Sequence, residues 1–174
     1  TQYLLKKGNS IDDLLASGLT IKKDNGGYYD RFRGRIMFPI WDAHGNTVGF
    51  TGRILVETEK SGGKYVNTPQ TLVFDKSRIL YGLNKAKTEI KNKDLTVLVE
   101  GQIDVIACHQ AGMKNVVASS GTALTFEQIK LLKRYSNNVA IAFDADAAGQ
   151  NAAKRGIDVA LEQGMNIKII QIPA

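Results

Sequence analysis

Residues 95–174 alternate short apolar runs with segments of helical character, and this constrains the fold more than any other feature of the chain. Residues 95–99, 116–118, 139–143 and 166–170 read as short strands, and 95–99 is a β-rich apolar run. Such a run suits a strand buried on both faces. Between them lie helical segments at 102–111, 126–134 and 147–162. Gly112 and Gly164 are placed to stop the first and third. Thr125 with Gln128 three residues on forms a capping box for the second. Strands separated by helices of this length imply parallel βαβ units with right-handed crossovers. The expected fold is therefore α/β, with a four-stranded, mainly parallel sheet flanked by helices.

The first half reads differently. Residues 2–7 and 11–16 are short helical pieces, the second capped by Ser10. Residues 35–41 and 47–56 read as strands joined by an Asp42-Ala43-His44-Gly45-Asn46 turn, a hairpin signal. Period two puts Val48, Phe50, Ile54 and Val56 on one face of the second strand, with Thr51 and Arg53 on the other. Residues 58–64 are a polar loop. The boundary is expected in the Lys/Asn-rich stretch 91–94, which makes 1–94 a mixed α/β lobe and 95–174 the parallel-sheet domain.

Charge divides along the same line. Residues 1–94 hold 16 Lys/Arg against 10 Asp/Glu, while residues 95–174 hold 7 of each, so the whole net charge of +6 belongs to the first lobe. A basic lobe beside a neutral one suits a polyanion met by one part and acted on by another, or simply a solvated lysine-rich surface. At 43% hydrophobic the chain can bury a core, and no apolar run approaches the roughly 20 residues of a membrane span. A single Cys108 excludes an internal disulfide, and two His with one Cys do not make a zinc set. No zinc is expected, and a reducing, cytoplasmic setting fits. The chain opens on Thr1 without a signal-peptide pattern and reads as a fragment of a longer protein.

Three acids occupy the position where open α/β sheets bind ligands, beyond the carboxyl ends of parallel strands. Glu100 follows the run 95–99, and Asp144 and Asp146 follow the run 139–143. Asp104 lies one helical turn past Glu100. Crowded carboxylates repel unless cations sit between them, and oxygen-only donors suit Mg²⁺ or Mn²⁺ and phosphoryl-type chemistry. Asp146 could equally cap the following helix, and Asp104 could be a first-turn acid favoured by the helix dipole. An EF-hand reading of Asp144–Gly149 fails, because Ala148 and Arg155 occupy ligand positions five and twelve. No Walker A or Gly-x-Gly-x-x-Gly pattern occurs. Lys64-Tyr65-Val66-Asn67-Thr68-Pro69 and Phe74-Asp75-Lys76 suit contacts to phosphate, sugar or base, or an ordinary turn-rich connector. Arg31, Arg33 and Arg35 alternate around Phe32, as a phosphate track or a solvated strand face would.

The acidic arrangement resembles a toprim domain, the fold shared by bacterial primases, type IA and II topoisomerases and related nucleases. The likeness extends to the RNA polymerase core of bacterial DnaG-type primases, over roughly residues 3–174. Tyr28-Tyr29-Asp30-Arg31-Phe32-Arg33-Gly34-Arg35-Ile36-Met37-Phe38-Pro39-Ile40 and Lys64-Tyr65-Val66-Asn67-Thr68-Pro69-Gln70-Thr71 resemble motifs of that family. So do Leu80-Tyr81-Gly82-Leu83, Glu100-Gly101-Gln102-Ile103-Asp104-Val105, Ala118-Ser119-Ser120-Gly121-Thr122-Ala123 and Phe143-Asp144-Ala145-Asp146-Ala147-Ala148-Gly149.

The resemblance implies a nucleotidyltransferase that makes short RNA primers on single-stranded DNA. Glu100, Asp144 and Asp146 would be Mg²⁺ or Mn²⁺ ligands, with Asp104 in the same catalytic acidic cluster. Arg33, Arg53, Lys64, Tyr65, Asn67 and Lys76 would bind template and incoming nucleotide. Implied partners are single-stranded DNA, ribonucleoside triphosphates and, through a C-terminal domain outside this chain, the replicative helicase of a cytoplasmic bacterial replisome. Ala145 stands where the family has Gly, and Gln102 where it has an aromatic residue. The family's Asp-Pro-Asp after the last strand is not reached before Ile172-Pro173-Ala174. The fragment alone is expected to be weakly active or inactive. The alternatives are a toprim-type phosphodiester nuclease or topoisomerase-like enzyme, and a nucleotide-binding module without catalysis.

Overall fold

A computed structural model describes residues 1–57, 62–120, 124–143 and 156–170. It forms two compact units, Thr1–Ile40 with Thr47–Asp75, and Trp41–Asn46 with Lys76–Ala174.

The first unit opens with helices α1 (Gln2–Lys6) and α2 (Ile11–Ala16). Ser10 caps α2 as expected, its Oγ accepting from the Asp13 N–H at 3.1 Å while Asp13 Oδ2 accepts from the Ser10 N–H at 3.3 Å. Strands β1 (Thr20–Lys22) and β2 (Tyr28–Asp30) pair antiparallel. A second sheet has the order β3-β4-β5, with β3 Arg35–Trp41, β4 Thr47–Ile54 and β5 Tyr65–Asn67. Sequence periodicity did not separate β1, β2 and β5 from their loops, since each is only three residues long.

Strand β4 keeps the expected alternation of faces, but burial does not follow residue polarity. Thr51 is 0% exposed, whereas Val56, placed with the apolar face, is 72% exposed and lies beyond the strand end. Both faces are covered at their glycines. A Cβ on Gly49 would sit 3.2 Å from the Phe74 ring, and one on Gly52 would sit 3.0 Å from both Phe32 and Arg35. Phe32 also meets Phe50 edge-on, with ring centroids 6.4 Å apart. Burial in β4 thus follows where distant rings land, not the alternation within the strand.

The β3–β4 turn is held by one carboxylate. Asp42 Oδ1 accepts from the N–H groups of His44, Gly45 and Asn46 at 2.8–2.9 Å, and Oδ2 accepts from Asn46 Nδ2 at 2.9 Å. These bonds, the Asn46 side chain first, favour the ionised form and hold its pKa below the usual carboxylate value. A depressed folded-state pKa stabilises the turn above the ordinary carboxylate range and loses that contribution as pH falls through the folded value. In a pH titration followed by NMR, the Asn46 side-chain amide protons are expected to keep their shifts below the midpoint of a free aspartate before the turn opens.

The second unit contains a 3-10 turn (Lys76–Arg78), α3 (Leu83–Lys93), β6 (Thr96–Val99), α4 (Gln102–Gln110) and β7 (Val116–Ala118). These are followed by α5 (Phe126–Leu132), β8 (Asn138–Ile141), a helical segment at 156–162 (α6) and β9 (Asn166–Ile169). All pairs in its sheet, ordered β7-β6-β8-β9, are parallel. The four-stranded, helix-flanked sheet expected from the sequence is present. Every residue of β6 and β7 is buried, which explains why all but Thr96 are apolar. Leu98, Val117, Ile129, Leu132 and Ile141 share the core with Leu83, Ala86 and Ile90 of α3. Helix α3 escaped the sequence reading because only one stripe of it is apolar, between lysines at 85, 87, 91 and 93. The compact units part between Asp75 and Lys76, upstream of the expected boundary at 91–94, because α3 packs its stripe into this second core. Gly82 admits the chain to α3 at φ +83, where a Cβ would lie 2.8 Å from Val105 Cγ1. Among the described residues no helix is long and apolar enough to cross a membrane.

Candidate functional site

The parallel sheet directs its strand ends toward one edge. Glu100 follows β6 directly, and its carbonyl accepts from the Ser120 N–H at 3.1 Å, tying the exits of β6 and β7 together. Ser120 holds φ at +61, a conformation that non-glycine residues adopt at a cost. β8 runs beside β6 with Leu98 opposite Ile141, and the Ala142 N–H donates to the Leu98 carbonyl at 2.9 Å. Glu100 and Phe143 therefore each stand two residues beyond a paired position on neighbouring parallel strands. Asp144 and Asp146 lie outside the described residues.

Asp104 is exposed in the first turn of α4, and its Oδ2 accepts from the Gly101 N–H at 2.9 Å. That bond caps the helix and holds the segment immediately after Glu100. Of the two open readings, the first-turn capping role is the one this contact carries. Among the described residues no group of three or more His, Cys, Asp or Glu converges as a metal set.

The basic and aromatic candidates divide between the units. In the first, strand pairing sets Arg53 opposite Tyr65 and Thr51 opposite Asn67. The Arg53 guanidinium lies 5.8 Å from the Tyr65 ring centroid. Arg53, Tyr65 and Asn67 thus share one face of β4–β5, with exposed Lys64 at its entry. Arg33 stands apart from this pairing, 4.7 Å over the Tyr29 ring.

The expected alternation of Arg31, Arg33 and Arg35 on one extended face does not form, because only Arg35 lies in a strand. Arg31 Nε donates to the Gly18 carbonyl at 2.6 Å. Arg35 Nη1 donates to the carbonyls of Gly52 and Lys64 at 3.1 and 3.2 Å, so it holds the backbone that carries Arg53 and Lys64. This supporting role was invisible in the sequence, where the three arginines looked equivalent.

Lys76 belongs to the second unit, at the start of its 3-10 turn. It is partly buried, and burial pushes its ammonium below the ordinary lysine pKa.

Comparison with known proteins places these features in a family. Residues 1–87 match the model for the DNA primase catalytic core, N-terminal domain, and residues 97–174 match a toprim-like model. A curated DNA primase of Clostridium acetobutylicum is 49% identical over 173 residues, 98% of this chain and 28% of that protein. The crystal structure of the Aquifex aeolicus primase, with its zinc-binding and RNA polymerase domains, superposes with a TM-score of 0.89 at 36% identity, covering 98% of this chain and 42% of that one. A DnaG primase catalytic domain bound to single-stranded DNA superposes with a TM-score of 0.85 at 38% identity, covering 98% of this chain and 56% of that one. The chain spans about a quarter of the length of the curated relatives it matches.

Proposed function

The chain belongs to the DNA primase catalytic-core family, and from that membership we propose that it is the part of a DNA-dependent RNA polymerase that joins ribonucleotides into primers on single-stranded DNA. The observation that carries the proposal is the position of Glu100 at the carboxyl end of a buried parallel strand, in a chain matched by primase and toprim-like models over 1–87 and 97–174. Phosphodiester cleavage and metal-free nucleotide sensing gain nothing from the match over 1–87, which is specific to primases.

Glu100, Asp144 and Asp146 would hold Mg²⁺ or Mn²⁺. The donor set is all oxygen, as these hard ions require. A bound divalent ion would supply neutralising charge at the transferring phosphate and help ionise the attacking hydroxyl. In the reaction the primer 3′ hydroxyl attacks the α-phosphate, the bond to the β-phosphate breaks, and pyrophosphate leaves. Lys64, Arg53 and Lys76 would balance triphosphate or template charge, and Tyr65 and Asn67 would meet base or sugar. Arg33 would add charge along the template. Asp104 would keep α4 capped so that Glu100 stays in place. Partners would be single-stranded DNA, ribonucleoside triphosphates and the replicative helicase of the bacterial cytoplasm. In the proposed sequence division, residues 1–94 would serve as the template-holding lobe and residues 95–174 as the metal-holding lobe.

Calorimetry of ATP binding with and without Mn²⁺ tests this reading. Affinity is expected to rise about tenfold or more with the ion, the scale of one well-formed charge-assisted contact. Affinity indifferent to Mn²⁺ and to Asp144→Asn would overturn it in favour of a nucleotide-binding module.

A further inference from the structure

Helix α5 opens on the capping box expected from the sequence, but the box makes more bonds than a cap requires. Thr125 Oγ1 accepts from the Gln128 N–H at 3.2 Å, and Gln128 Oε1 accepts from the Thr125 N–H at 3.0 Å. Those two bonds complete the cap. Gln128 Nε2 also donates to the carbonyls of Lys76 at 3.2 Å and Ile79 at 2.8 Å. Thr125 Oγ1 donates to the carbonyl of Ser77 at 2.5 Å. Two carbonyls of the 3-10 turn and the one just after it are thus bound by two side chains about fifty residues away in sequence.

The choice of residue follows from this. Glu at the third helical position would cap as well as Gln and would gain from the helix dipole. Glu has no amide protons to give, and its carboxylate would face two carbonyls. Gln128 is 0% exposed, so each of its polar atoms needs a partner, and both its amide protons and its oxygen have one. A three-residue 3-10 turn has little stability of its own, so its shape depends on what grips it.

We infer that Gln128 and Thr125 are positioning residues for Lys76, holding the turn from which its ammonium meets nucleotide or template phosphate. The inference rests on the phosphate-binding role given to Lys76 above. A long lysine side chain pays rotamer entropy on binding, and a fixed backbone limits the disorder to the side chain itself. Partial burial adds to the effect, since a poorly hydrated ammonium gains more from a phosphate partner.

A double-mutant cycle in the intact protein tests this, with Mn²⁺-ATP affinity read by calorimetry and folding by thermal melting. Lys76→Ala is expected to weaken binding about tenfold, the loss of one charge-assisted contact. Gln128→Met is expected to weaken it about threefold or more when Lys76 is present, and to have no further effect on Lys76→Ala, as coupled residues do. Should Gln128→Met melt below the assay temperature, the Thr125 pair decides: Thr125→Val weakens binding and Thr125→Ser, which restores the hydroxyl, recovers it. Equal losses in both backgrounds, or none, overturn the positioning role. Unchanged affinity in Lys76→Ala removes Lys76 from the site and this inference with it, while a loss in Glu100→Gln would leave the primase reading standing.

Discussion

Replacing Glu100 by Gln in the intact enzyme is expected to abolish primer synthesis and leave the fold and single-stranded DNA binding nearly unchanged. The substitution keeps side-chain shape and removes one negative charge at the carboxyl end of β6. The bond that ties this position to β7 uses the Glu100 carbonyl, which Gln retains. On the proposed reading Glu100 is a metal ligand, and its loss would forfeit several kcal/mol of barrier lowering, or about a thousandfold or more in rate. On the same reading DNA affinity would rest on the basic residues, its salt dependence following from the phosphates they neutralise, so it should hardly move. Primer extension with ribonucleotides on a single-stranded template measures the first effect, and fluorescence anisotropy of the same DNA the second. Retained synthesis would sink the assignment of Glu100.

Leu98→Ala is expected to destabilise the second unit by about 3–5 kcal/mol, the range for fully buried leucines whose surroundings collapse incompletely. Leu98 is 0% exposed and sits in an inner strand, paired with Val117 on one side and Ile141 on the other. Parallel strands on both sides leave little room for the cavity to close. A loss of this size is a large fraction of the about 5–15 kcal/mol that holds a typical domain together. Urea denaturation should show a much lower midpoint with little change in slope. Ile169→Ala, at a 71% exposed position on the edge strand β9, serves as the control and should shift the midpoint little. Because Leu98 lies two residues before Glu100, cold conditions that keep the variant folded should restore activity, which they cannot do for Glu100→Gln.

The features legible in the sequence were those whose causes lie within a few residues. The apolar runs of β6 and β7, the Ser10 and Thr125 caps, the Asp42 turn and the glycine after α4 each declare themselves locally. So did the placement of Glu100 at a strand end, because a strand followed directly by an acid needs no distant partner to be recognised.

What remained hidden depends on distant partners. β5 is a strand because β4 pairs with it, α3 is a helix because its one apolar stripe meets the sheet, and Thr51 is buried in a strand that Phe74 covers at Gly49. Arg31, Arg33 and Arg35 looked alike in the sequence, yet two bind backbone carbonyls and one lies over a tyrosine. Residue type, periodicity and capping alone determined the parallel α/β lobe, its acidic strand end and the basic character of residues 1–94. The tertiary structure decided which cations are committed to the backbone, what covers each face of β4, and that a helix cap also grips the turn bearing Lys76. The physical reason is range: caps and periodicity act over one or two turns of chain, whereas burial and side-chain hydrogen bonds are settled by whichever distant segment packs alongside.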